Sequence, residues 1–196
     1  MDPSKLSSKD SRHADLLRRG INDRLAFEQL YRELSRTVFS FALLHLGERT
    51  AAEDVMVDTL FDVWRKADQF RSESSVLTWT IGIARNHIRM KYRGRARREK
   101  PELMDDIDLF DETLHDPSRP VIDEVIQRQS TERLMVQLRM LPAEQAEAIH
   151  FVFFEGYTLA ETATVLQVPE GTVKTRVFHA RRKLKLLLEQ QGVDSA

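Results

Sequence analysis

The chain has 196 residues, 41% of them hydrophobic and 31% charged, with a formal net charge of −1 and no cysteine. That length holds one domain or two small ones, and that balance belongs to a globular chain rather than a disordered or membrane-embedded one. The lack of cysteine excludes disulfides, thiolate catalysis and thiolate zinc sites. No apolar run approaches the roughly 20 residues that span a bilayer, and residues 1–17 carry no apolar signal core, so a cytoplasmic protein without membrane insertion is expected.

Nearly every segment reads helical, and the expected class is all-α. Asn22 or Asp23 can cap a helix over 24–46, which Gly47 would end. Thr50 and Glu53 have the spacing of a capping box, and a helix from there through about Lys66 is expected. The polar stretch 68–75 reads as loop. A further helix follows over about 76–92, with Leu77, Ile81, Ala84 and Ile88 at helical spacing. From Gly94 to Pro120 the periodicity is lost and three prolines appear, as in an interdomain linker. Helices resume near Val121 and run to Met140. Pro142 stands near the first position of the next helix, which is expected to end at Gly156. Thr158 and Glu161 make a second capping box, opening a short helix to about Leu166. Residues 167–171 read as a turn and 172–189 as the last helix. Two small helical domains result, 10–95 and 121–190, joined by a flexible acidic linker, 96–120.

The small net charge hides segregated blocks. Residues 82–100 hold eight Lys or Arg and one acid; residues 101–118 hold seven acids and no base; residues 171–185 hold six bases and no acid. In the last helix Val173, Val177, Ala180, Leu184 and Leu187 form one stripe, and Lys174, Arg181, Arg182 and Lys185 lie off it. A short helix, a tight turn and a longer helix with a basic face is the helix-turn-helix arrangement, whose second helix enters the major groove while later cations hold phosphates. Periodicity and charge leave a second possibility open, a solvated basic face on an ordinary helical hairpin.

The run YTLAETATVLQVPEGTVKTRVFHARRKL, and GTVKTRVFHAR within it, resembles the promoter-binding C-terminal region of bacterial sigma factors. AEDVMVDTLFDVWRKADQFRSESSVLTWTIGIARNHIRMKYR is similar to the second conserved region of the same family. Two small domains and one linker fit its smallest members, the extracytoplasmic-function group, over about residues 16–188. The resemblance implies a promoter-specificity factor with two partners, core RNA polymerase (a coiled coil of the largest subunit, and the flap) and promoter DNA. It also implies a third, an anti-sigma factor that releases it on a stress signal.

Residue by residue, the resemblance implies a polymerase-binding segment of Asp54, Val55, Asp58, Leu60, Phe61, Asp62, Trp64 and Arg65. Asp54, Asp58 and Asp62 share one helix face without lysine partners, and Val55, Leu60, Phe61, Val63 and Trp64 are expected to supply the buried sides. Val57 stands where the family has Gln, and Leu60 where it has Phe. For the melted minus-ten element it implies Phe70, Arg71, Ser75, Trp79, Arg85, Asn86, Arg89 and Arg93, with Phe70 and Asn86 lining a pocket for an unstacked base. Trp79 reads equally well as core. Lys91, Arg95, Arg97 and Arg98 extend the basic track. For the minus-35 duplex it implies Thr172, Lys174, Thr175, Arg176, Phe178, His179, Arg181 and Arg182, of which Arg176, Arg181 and Arg182 grip phosphate or the domain core.

No two of the six histidines lie at i, i+3 or i+4, so no helical metal pair exists. There is no Gly-rich phosphate loop and no G-x-S-x-G. No enzyme, cofactor or metal is expected. Two rivals remain: a stand-alone helix-turn-helix repressor or activator binding a palindrome without polymerase, and an adaptor whose basic tracts bind acidic proteins.

Overall fold

The computed structural model describes residues 8–99 and 135–190, which fall in two units. Helices joined by turns, bends and short irregular connections make up the described residues. In the first unit α1 (Ser8–Gly20), α2 (Arg24–Leu46), α3 (Arg49–Arg65) and α4 (Val76–Glu99) pack together.

Asp23 starts α2: its carboxylate accepts from the N–H groups of Leu25 at 2.9 Å and Ala26 at 3.3 Å, two donors that a helix start leaves without partners. Gly47 ends it at φ 66°, a left-handed conformation that glycine adopts without steric cost, donating its N–H to the Leu43 carbonyl. Between them Leu30, Leu34, Val38 and Phe41 are fully buried, and so are Leu16 and Leu17 of α1, Val55, Leu60 and Val63 of α3, and Leu77, Ile81 and Ile88 of α4. Each such side chain contributes about 1.5–3 kcal/mol by leaving water.

Several boundaries differ from the sequence-based expectation. Helix α1 was not foreseen, yet Leu16 and Leu17 anchor it in the core. Thr50 and Glu53 form no capping box: α3 begins at Arg49, behind Glu48, which makes no side-chain cap. The carboxylates are engaged elsewhere, Glu53 with Arg49 at 2.8 Å and Glu48 with Arg95. Helix α4 passes Gly94 and continues to Glu99, because Arg95 is tied to Glu48 and the Tyr92 hydroxyl donates to the His45 carbonyl. A mid-helix glycine costs only about 1 kcal/mol. Residues 96–99 are therefore helix rather than linker. The rest of the expected linker, and the expected helix from 121 to 134, lie outside the described residues.

In the second unit residues 135–139 are helical. There follow α5 (Ala143–Ile149), a π-helical turn (His150–Phe154), α6 (Leu159–Leu166) and α7 (Glu170–Gln190). The single helix expected up to Gly156 is thus two pieces. The Glu155 N–H reaches back five residues to the His150 carbonyl, and this wider turn shifts the inward face by about one residue. Phe151 is buried in line with Glu147 and Ala148, whereas Phe153, which an uninterrupted α-helix would have sent inward after Ile149 and His150, is exposed. The Thr158–Glu161 capping box is present: Glu161 N–H donates to Thr158 Oγ1 at 3.2 Å, and Thr158 N–H donates to Glu161 Oε2 at 2.9 Å. Gln167 takes φ 57° at the end of α6, and the Val168 N–H closes back on the Ala163 carbonyl at 3.1 Å, a Schellman closure that sets the tight turn. Helix α7 starts at Glu170, two positions before the expected start at 172, because the Pro169 carbonyl accepts from Thr172 and Val173 and already serves as its first turn.

Candidate functional site

Helix α3 is apolar on nearly every side, and the bundle uses only part of that surface. Val55 and Leu60 are inside, together with Ala52, Thr59 and Val63, so neither can touch a partner; they hold the helix in place. Phe61 and Trp64, expected to be buried, are 55% and 48% exposed, and Val57 is 52% exposed. These three lie at i, i+4 and i+7, one narrow stripe. The Phe61 and Trp64 rings sit 6.0 Å apart, and Phe27 of α2 flanks Trp64 at 6.3 Å.

The aspartates border this stripe rather than forming its centre. Asp58 is exposed. Asp54 receives Lys91 of α4 at 2.8 Å, and Asp62 receives Lys66 at 2.9 Å, Arg65 at 3.0 Å and His87 of α4 at 3.3 Å. The expectation of an acidic face without lysine partners therefore fails. Lys66 follows Asp62 by four residues, and Lys91 arrives from a helix that sequence could not bring alongside. The hydrogen bond from Lys66, supported by the Lys66 and Arg65 charges and the His87 bond, holds the Asp62 carboxyl below the ordinary carboxylate range against the opposing effect of burial. Val57, which the sequence marked only as a departure from the family's Gln, joins this stripe; its spacing to Phe61 and Trp64 was the available signal.

A second face lies on α4 and the loop before it. A short 3₁₀ turn (Ala67–Gln69) leads to Phe70, whose ring lies 5.2 Å from that of Trp79; both are half-buried. Trp79 is thus neither full core nor fully free. Ser75 leaves the expected DNA set. It is buried, and its hydroxyl accepts from the Thr78 N–H at 3.0 Å and pairs with the Thr78 hydroxyl at 2.8 Å, capping α4. Arg71 is exposed, beside Ser72 at φ 57°, a strained value for a non-glycine residue. Along α4, Trp79, Gly82, Asn86, Met90 and Arg93 fall at i, i+3, i+7, i+11 and i+14 on one side. Space is open above Gly82, where an added Cβ would meet nothing within 4 Å. Arg89 donates to Asn86 Oδ1 at 3.5 Å, and the Arg85 guanidinium lies 5.6 Å from the Phe41 ring centre. The side chains of Arg97 and Arg98 lie outside the described residues.

In the second unit α7 packs against both α5 and α6, and Ala163, Val173 and Ala180 are buried. Lys174, Thr175, Phe178, Arg182 and Lys185 are exposed on the opposite side of α7, and His179 and Arg181 flank them. The Thr175 hydroxyl bonds back to the Gly171 carbonyl at 2.9 Å. The Phe178 ring is 63% exposed and has His179 edge-on at 5.5 Å. Thr172 is half-buried in the first turn. Arg176 is turned away: its side chain is 18% exposed and ion-paired with Glu144, pinning α7 to α5. A basic helix face with an aromatic at its middle can grip phosphates at its edges and contact base edges at its centre.

Family models match both units: Sigma-70 region 2 over residues 30–98 and Sigma-70, region 4 over residues 131–184. The ECF RNA polymerase sigma factor SigM of Mycobacterium tuberculosis is 32% identical over 166 residues, 85% of this chain and 79% of SigM. The RNA polymerase sigma-H factor of Pseudomonas aeruginosa is 27% identical over 188 residues, 92% of this chain and 94% of that protein. Among solved structures, the sigma factor RpoE of Bartonella quintana, in complex with the anti-sigma factor NepR, aligns with a TM-score of 0.59 at 27% identity. That alignment covers 86% of this chain and 98% of RpoE. CnrH, in complex with the cytosolic domain of CnrY, has a TM-score of 0.65 at 22% identity over 91% of this chain and 98% of CnrH, a likeness of fold.

Proposed function

The chain belongs to the extracytoplasmic-function group of the sigma-70 family, and on that premise we propose how its faces divide the work of directing RNA polymerase to promoters. The observation that carries the proposal is the exposed Val57–Phe61–Trp64 stripe with Asp54 and Asp58 on its border. A partner with an apolar ridge edged by Lys or Arg complements it, which is the surface a basic coiled coil of the polymerase offers. The first unit, through the end of α4 at Glu99, docks there. The second contacts the flap.

On α4 an unstacked minus-ten base enters the open space above Gly82, stacking near Phe70 and Trp79 and hydrogen-bonding to Asn86. Stacking on an aromatic recovers about 1–3 kcal/mol of what unstacking costs. Arg71, Arg85, Arg89 and Arg93 hold the backbone. Lys174, Thr175, Phe178 and His179 face the minus-35 bases, with Arg181 and Arg182 on phosphates. The protein is a transcription regulator; bond making belongs to the polymerase, in the cytoplasm. An anti-sigma partner fits the reading, since RpoE was solved in complex with one. Matches over both units make a stand-alone regulator the poorer account.

The test is transcription by sigma-free core polymerase plus the purified chain on a pool of upstream DNA from the source organism. Specific transcripts are expected, and they disappear with Phe61→Arg or Asp58→Lys. Tight binding to a palindromic duplex without polymerase, and no transcripts, would overturn the proposal.

A further inference from the structure

The geometry points to Phe153 as a positioning residue for the duplex-binding surface: its outward ring holds the Arg181 guanidinium at the flank of α7, aimed at a phosphate. The inference rests on the reading of α7 as the promoter-binding helix.

Phe153 is 56% exposed. Its exposure is built in: an unbroken α-helix would carry it inward behind the buried Ile149 and His150, and the wider π-helical turn over His150–Phe154 turns it out. The ring has a use on the surface: the Arg181 guanidinium carbon lies 6.0 Å from its centre, within the range over which a ring face attracts a cation. Arg181 follows Lys174 by seven residues, two turns along the same side of α7. It therefore extends the Lys174 edge of the exposed face, where a phosphate backbone runs beside the groove.

Two arginines of α7 are held in opposite ways. Arg176 is paired with the Glu144 carboxylate, which neutralises it and commits it to the fold. Arg181 is held by a ring, which restrains the long side chain while leaving its charge and N–H donors available. A carboxylate at position 153 would fix the guanidinium equally well, but it would cancel the charge and repel a phosphate. An aromatic there orders the arginine beforehand, so less freedom is lost when DNA binds.

The experiment uses holoenzyme assembled from the full chain and core polymerase, on a promoter fragment that it transcribes, with closed-complex affinity measured across a salt series. Arg181→Ala is expected to weaken binding and lower the salt slope by about one. Phe153→Leu should weaken binding roughly two- to fivefold with a partial loss of slope, Phe153→Tyr should restore both, and Phe153→Leu in the Arg181→Ala background should do nothing further. A Phe153→Leu loss that adds in full to that of Arg181→Ala would make Phe153 a fold residue and overturn the inference, as would an unaltered Phe153→Leu beside a weakened Arg181→Ala. An inert Arg181→Ala would instead remove Arg181 from the duplex-binding surface, and the inference with it.

Discussion

Truncating Phe61 tests the α3 stripe most directly. The ring is 55% exposed. A phenylalanine offers about 200 Å² for burial, so roughly 110 Å² is left for a partner. At about 25 cal/mol per Å² this is near 2.7 kcal/mol, or about 100-fold in Kd. A partner rarely covers every exposed atom, so Phe61→Ala is expected to weaken affinity for core polymerase by about 10- to 100-fold. The part already covered contributes up to about 2 kcal/mol to folding by the same arithmetic. A control of matched stability is therefore needed, and Val55→Ala provides it. Val55 is wholly buried, and losing two methyl groups there costs about 2 kcal/mol with its cavity but removes nothing a partner can reach. The assay is fluorescence anisotropy of labelled chain titrated with sigma-free core, with circular dichroism confirming that each variant is folded. A Phe61→Ala protein that binds within twofold of the parent, or a folded Val55→Ala protein that loses as much as Phe61→Ala, would refute the reasoning.

Three further outcomes are expected. His13 is buried, with Nε2 on Glu33 at 3.1 Å and Nδ1 lacking an acceptor among the described residues. Burial outweighs the Glu33 and Asp10 charges and lowers its pKa below 6.5. As the pH falls below 6.5 the unfolded chain takes up a proton that the folded chain refuses, so the first unit loses stability down to the folded pKa. His13→Gln should flatten the difference in unfolding temperature between pH 7.5 and 5.5; Asp62, also depressed, loses its contribution only below about 3.8 and does not enter that window. Asp23→Ala, which removes the α2 cap, should cost about 1 kcal/mol in denaturant unfolding of the first unit, whereas Glu48→Ala should lose no cap. Lys174→Ala should lower the salt slope of closed-complex formation by about one while leaving affinity for core polymerase unchanged.

The helical class, the two units and the turn between α6 and α7 were legible because they rest on local chemistry. Asp23, Gly47 and the Thr158–Glu161 box act within four residues of where they stand, and a periodicity of apolar residues needs no partner to be seen. The false capping box at Thr50 marks the limit of that logic, since Glu53 had a nearer cation in Arg49 and Glu48 a distant one in Arg95. The faces were decided by packing. Val55, Val57, Leu60, Phe61, Val63 and Trp64 make α3 apolar nearly all round, and nothing in the sequence says which side the bundle takes. Once α2 and α4 cover Val55, Leu60 and Val63, the Val57–Phe61–Trp64 stripe must face outward. The same holds for charge: Lys91 reaches Asp54 across 37 positions of sequence. It holds too for the π-helical turn, which leaves Phe153 exposed although it follows the buried Ile149 and His150 at helical spacing. The sequence by itself determined which residues could form faces, through period and composition. The tertiary structure alone decided which of those faces remained free, because burial is settled by the neighbours a helix meets.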